Sequence, residues 1–287
     1  MPIDPSKALG AKLPASPYTW NEDTLILYAL GAGVGINADQ TSPAVLQYTY
    51  ENGLKALPTF GVIPSFPALA GMAGIPGVSF NPMMVLHGEQ YMEVLASPIP
   101  TAATVTTSGR VKAIYDKSKG ALMIFELTTT RDDGTALFRN EFAAYMRGEG
   151  GFGGESGPAP GNEPPDRAPD AVVEYPTMPQ QALLYRLSGD KNPLHADPAF
   201  ARMGGFERPI LHGLCTFANV GRAVIQAFAD DDPARFRSIK VRFARPVIPG
   251  ETIVTEMWSA SSSEVVLRAK VKSTGSVVIS NAKVTLA

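Results

Sequence analysis

The feature that most limits what this chain can become is a worn internal repeat, split by a stretch rich in glycine and proline. Residues Gly148 to Asp170, GEGGFGGESGPAPGNEPPDRAPD, resist helix and ladder. Proline lacks an N–H, and glycine loses the most freedom on ordering. The stretch reads as an extended or flexible linker. On either side the chain repeats itself. TWNEDTLILYALGAG and TMPQQALLYRLSGDKN read as the same helix entry, with Thr19 and Thr177 predicted as N-caps and Glu22 and Gln180 three residues on. Superposing Tyr28 on Tyr185 sets YALGAG on YRLSGD, Gly33 opposite Asp190 and Ala38 opposite His195. Later, GEQYMEVLASPIPTAATVT resembles VRFARPVIPGETIVTEM, both turning at an x-I-P step. A duplicated unit is expected: a first half over 1–147, a linker over 148–170 and a second half over 171–287. Only the second half keeps reactive side chains at the repeated positions.

The remaining pattern predicts sheets around helices, an α+β chain. In VLRAKVK, Leu267, Ala269 and Val271 alternate with Arg268, Lys270 and Lys272, the period of a strand with one wet face. Val277 to Leu286 and Ala121 to Thr128 are further strand candidates. ILHGLCTFANVGRAVIQAFA is apolar almost all round, so it is expected as a helix buried on most sides and wrapped by an antiparallel sheet.

Composition narrows the partners. Lysine plus arginine (25) nearly balances aspartate plus glutamate (27), so no global field draws nucleic acid or an anionic membrane. No apolar run reaches the length of a membrane span, and MPIDPSKALGAKLP has no signal-peptide core. The single Cys215 allows no intramolecular disulfide and fits a reducing compartment. With a C-terminal VTLA in place of a peroxisomal tripeptide, a cytoplasmic setting is expected. The formal G-x-G-x-x-G at Gly148, Gly150 and Gly153 leads into prolines where a dinucleotide site needs a helix, and is discarded.

Chemistry concentrates in YRLSGDKNPLH. Asp190 and His195 stand five apart, and Pro193 stops a regular helix from running between them. A turn can bring carboxylate and imidazole to one water molecule, giving a general base and a general acid, with Asn192 placed to orient them. The same residues are ordinary turn formers, so the string alone also reads as a capped turn with a core histidine. PILHGLCTF weighs toward chemistry. It opens the buried helix at Gly213, where free N–H groups and the helix dipole could hold a developing oxyanion. His212 reads there as a core or capping residue. His87, His195 and His212 lack H-x-x-x-H spacing, so no metal site is expected. Cys215 reads as a buried small hydrophobe, and Met83, Met84 and Met92 as core or as an adaptable apolar lining.

Tyr185 to His195, followed by Asp197-Pro198, resembles the signature of the hydratase 2 family, the MaoC-like (R)-specific enoyl-CoA hydratases. LPTFGVI, VLHGEQYMEV, GGFGG, PILHGLCTF and GSVVISNAKV extend the likeness over nearly the whole chain. The resemblance implies a double hot-dog fold whose first half makes room for the acyl chain while the second supplies the chemistry. It implies reversible syn hydration of a trans-2-enoyl-CoA to the (3R)-3-hydroxyacyl-CoA, an acyl-CoA substrate, no cofactor or metal, and a homodimer. It matches Asp190 and His195 to the acid–base pair, Asn192 to its support and Gly213 to the oxyanion donor. Its ligand contacts fall on His87, Gly88, Lys117 and Phe243, with Arg242 placed for a CoA phosphate and Lys191, Pro193 and Leu194 beside the pair. A hot-dog thioesterase and a non-catalytic acyl-thioester-binding subunit are the other readings; the first half, where such a site has been lost, argues against the second.

Overall fold

Each half contributes five strands. They are β1 (Lys12–Trp20), β2 (Val85–Val94), β3 (Ala103–Asp116), β4 (Gly120–Arg131) and β5 (Ala136–Arg147), then β6 (Ala171–Pro176), β7 (Phe236–Phe243), β8 (Thr252–Ser259), β9 (Glu264–Val271) and β10 (Val277–Leu286). In the computed structural model, which describes residues 3–287, all ten form one sheet in the order β1-β3-β4-β5-β2-β7-β10-β9-β8-β6. Met1 and Pro2, at the start of the N-terminal segment read above, lie outside the described residues. Read outward from the centre, the two halves mirror each other strand for strand. They join where β2 runs antiparallel to β7, pairing Glu89 with Arg242 and Met92 with Ile239. This is the double hot-dog arrangement. Alternation sets the inner face: Leu267, Ala269 and Val271 are buried while Arg268 and Lys270 are half-buried on the other side.

The helices are α1 (Pro5–Ala8), α2 (Glu22–Gly31), α3 (Pro43–Thr49), α4 (Gln181–Tyr185), α5 (Pro198–Met203) and α6 (Gly213–Phe228). α6 is the wrapped helix, and its apolar surface from Leu214 to Ile225 is buried in the main core. The first half holds two 3-10 segments in the matching place, Pro58–Val62 and Phe66–Gly74. Pro64 and Pro67 explain this, because each removes a backbone donor that a continuous α-helix would use. The shorter segment packs against α6 so closely that a Cβ on Gly221 would lie 2.7 Å from Thr59 Cγ2. The longer one covers a second core that includes Leu13, Val111 and Phe125.

Two expectations about helix entry are corrected. Thr19 is still in β1, paired with Thr104, and the cap of α2 is Asn21, whose side chain accepts from Thr24 N at 3.1 Å. A cap must stand directly before the first helical turn, and the strand runs two residues further than the pattern suggested. Thr177 likewise caps nothing, because its hydroxyl donates to the Glu251 carbonyl at 2.7 Å and α4 begins only after Gln180.

The Gly/Pro-rich connection is extended but not loose. Asp116 accepts the N–H groups of Gly151 at 2.9 Å and Gly153 at 2.8 Å, and both glycines take positive φ to wrap its carboxylate. Asn281 holds the Gly161 carbonyl at 2.8 Å, and Arg167 clamps Asp170 with two nitrogens. No helix among the described residues is long and apolar enough to cross a membrane.

Candidate active site

The segment after α4 makes a 3-10 turn, then leaves regular structure at Gly189, whose φ of 135° few other residues adopt. Asp190 follows, its Oδ1 accepting the Asn192 N–H at 3.1 Å. Asn192 in turn caps the next 3-10 turn, Pro193–His195, by accepting from Leu194 N at 3.0 Å. Asn192 thus meets Asp190 through its backbone N–H, with its own side chain committed to the cap. That turn delivers His195, which is 8% exposed, with its Nε2 at 3.9 Å from Asp190 Oδ2. The separation is too long for a direct hydrogen bond, and it admits one water oxygen at about 2.8 Å from each.

The other face of His195 fixes its chemistry. Nδ1 donates to the Ile210 carbonyl at 2.8 Å, which leaves Nε2 with the lone pair aimed at the gap. Burial lowers the His195 pKa below the ordinary 6.5, partly offset by the Ile210 bond and Asp190. The ring is therefore neutral at pH 7.

Its neighbour is one that sequence reasoning assigned to the core. His212 stacks on His195, with ring centroids 3.6 Å apart and planes at 26°, and its Nε2 donates to the Asp190 carbonyl at 3.2 Å. The repeated His-Gly step, His87-Gly88 and His212-Gly213, was the signal that could have found it. Asp190, His195 and His212 each offer a ligand atom within 4.8 Å of the others. Stacked rings direct their in-plane lone pairs side by side, however, a poor geometry for one shared ion.

Gly213 opens α6 with an N–H that, among the described residues, no acceptor takes. A Cβ there would meet the Phe243 ring at 3.1 Å, so a side chain at this position would crowd that ring. Phe243 also lines a cavity of about 660 Å³ at the β2–β7 seam, together with His87, Gly88, Lys117 and Arg242. Gly88 is the extra residue of a bulge in β2, between the pairs His87–Ala144 and Glu89–Ala143. His87 is half-buried, packed against Phe142 and Phe243, and this partial desolvation pushes its pKa down to about 3. Lys117 Nζ donates to the Ser156 carbonyl, and Pro158, Ala159 and Pro160 of the connection close one wall.

Phe243 stands between the cavity it lines and the start of α6 at Gly213. Asp190, Asn192, His195 and Gly213 do not line the cavity, nor do Lys191, Pro193 and Leu194, which stay with the turn. Lys191 is exposed, and its carbonyl accepts from Arg186. Met92 lies in the core and Met83 and Met84 on the surface, so none lines the cavity. Cys215 is sealed, and burial pushes its thiol up to about 12, which leaves no thiolate nucleophile.

Fold and site together define a double hot-dog protein whose second half pairs a carboxylate and a neutral imidazole, with an open backbone N–H at the start of α6. Comparison with known proteins places it further. A MaoC like domain model matches residues 161–282, and a model of the MFE-2 hydratase 2 N-terminal domain matches residues 18–148. The chain is 42% identical over 289 residues to the probable enoyl-CoA hydratase 2 of Dictyostelium discoideum, covering 98% of this chain and 96% of that protein. It is 38% identical over 286 residues to the Arabidopsis thaliana protein named enoyl-CoA hydratase 2, peroxisomal, covering 94% and 92%. The crystal structure of a MaoC-like dehydratase from Phytophthora capsici matches with a TM-score of 0.88 at 36% identity, covering 99% of this chain and 98% of that one. The chain belongs to the MaoC-like hydratase 2 family.

Proposed function

We propose that this protein is an (R)-specific 2-enoyl-CoA hydratase, a hydro-lyase of the β-oxidation type. It adds water reversibly to a trans-2-enoyl-CoA and yields the (3R)-3-hydroxyacyl-CoA. The observation that carries the mechanism is the 3.9 Å gap between Asp190 Oδ2 and His195 Nε2, beside the open N–H of Gly213.

Water in that gap donates one hydrogen to Asp190 and the other to His195 Nε2. As its oxygen bonds to the β-carbon, the second proton passes to Nε2, and the electrons of the double bond move to the thioester oxygen. Gly213 N–H stabilises that enolate, a kind of donor worth roughly 3 kcal/mol. Reprotonation of the α-carbon from His195, on the face water came from, makes the addition syn and restores the neutral ring. Asn192 holds the turn that sets the gap. The neutral His195, fixed as its Nδ1–H form by Ile210, supports its assignment as the group that takes the first proton.

The seam cavity is our proposed substrate site, with the first half accommodating the acyl chain. His87, Gly88, Lys117 and Phe243 line it, Arg242 stands at its exposed edge for a CoA phosphate, and Lys191, Pro193 and Leu194 flank the pair. A homodimer and a cytoplasmic setting complete the reading. The second rests on the lone thiol, and imaging of the tagged full-length chain tests it against the peroxisome named for the Arabidopsis relative.

The test is loss of enoyl-thioester absorbance. Asp190→Ala and His195→Ala are expected to lower turnover by about 10²–10⁴-fold each while the fold persists by circular dichroism. A folded variant with near-normal turnover removes that residue from the mechanism. Steady release of free CoA without hydration identifies a thioesterase instead.

A further inference from the structure

One buried side chain beside the proposed pair has no part in the proton transfers above. His212 is 1% exposed, and it touches both partners away from their reacting atoms. Its ring lies flat on His195, its Nε2 holds the backbone carbonyl of Asp190 at 3.2 Å, and it directly precedes Gly213. The Ile210 carbonyl secures His195 at a single nitrogen, which leaves the ring free to pivot about that bond. A flat group 3.6 Å away removes the pivot.

We infer that His212 is a positioning residue: a neutral imidazole that fixes the plane of His195 and the backbone of Asp190, and so sets the gap that holds water. The inference rests on the hydratase reading for the reaction, though not for the geometry. Neutrality matters because His195 becomes a cation during turnover, and a second cation stacked on it would oppose the proton. Burial meets this need by holding His212 at about 2. The Tyr185 ring lies 5.0 Å from His212, a further aromatic neighbour in its enclosure. Only imidazole joins the two contacts: phenylalanine would stack without the hydrogen bond, and glutamine would bond without the stack.

Hydration kinetics of wild type, His212→Phe, His212→Gln and His212→Ala separate these contributions. The His212→Ala enzyme is expected to lose about 100-fold in kcat with KM within about threefold, since misplacing reacting groups by about 1 Å forfeits that much. His212→Phe and His212→Gln each recover part of the loss. A purely structural role would lower the unfolding midpoint without this split or this graded recovery. The chain has only three histidines, so selective nitrogen-15 labelling of their rings reads His195 whether or not turnover occurs. Wild type and His212→Phe are expected to hold the Nδ1–H tautomer, and His212→Ala to average the two. A folded His212→Ala variant that keeps kcat within about threefold, or whose His195 signals match wild type, overturns the proposal. If wild type fails to hydrate enoyl-CoA while the His195 signals shift as expected, the positioning role stands and the hydratase reading falls.

Discussion

At Gly213 the first residue of α6 presents a backbone N–H rather than a side chain, and this permits an unusually clean substitution. Proline is tolerated at the first position of a helix, and His212 already has the extended backbone (φ −58°, ψ 132°) that proline demands of its predecessor. Gly213→Pro therefore deletes the donor without breaking the helix, and Gly213→Ala reproduces the crowding of Phe243 with the donor kept. We expect the proline variant to fall about 10²–10³-fold below the alanine variant in kcat, measured on the same enoyl-CoA. Equal rates would mean that the N–H does not touch the reacting oxygen. Asp190 and His195 were legible because a short turn must join them whatever the fold. His212 was not, because its two contacts reach back 17 and 22 residues, distances that only packing brings to zero.

Among the elements, α6 and the Pro58–Val62 turn meet across the two halves. Gly221 lies at their crossing, where a Cβ would stand 2.7 Å from Thr59 Cγ2. Gly221→Ala is expected to destabilise by about 1–3 kcal/mol through overpacking, seen as a lower urea midpoint with unchanged slope. An unchanged midpoint would show that the first half yields at no cost. The long helix was readable from its unbroken apolar run, while its counterpart was disguised by prolines that turn the same place in the fold into 3-10 segments. Helix entry was misread for a related reason. The ladder from β1 to β3 holds Thr19 in the sheet, and the cap falls to Asn21, two residues on.

Over the whole molecule, three histidines, two buried and one half-buried in the cavity wall, tie stability to acidity. Desolvation holds His87 at about 3 and His212 at about 2, against 6.5 for an ordinary ring, and lowers His195 as well. The unfolded chain takes up protons near pH 6.5 while the fold refuses them, so this contribution is complete above 6.5 and is lost as pH falls. Between about pH 6.5 and about pH 5, His87 and His212 together are expected to withdraw roughly 3 kcal/mol, checked by urea unfolding at the two pH values. Equal stability at both would mean that the rings protonate in place. The amino-acid order by itself determined the duplication, the alternating strands, the buried helix and the pair Asp190–His195, because periodicity and short spacing are local properties. The tertiary structure alone decided the rest. It turned the Gly/Pro-rich connection into a pinned wall of the cavity, through the carboxylate of Asp116, and it stacked His212 on His195. Both depend on groups apart in the chain, Asp116 meeting Gly151 across 35 residues and His212 meeting His195 across 17, which only packing brings together.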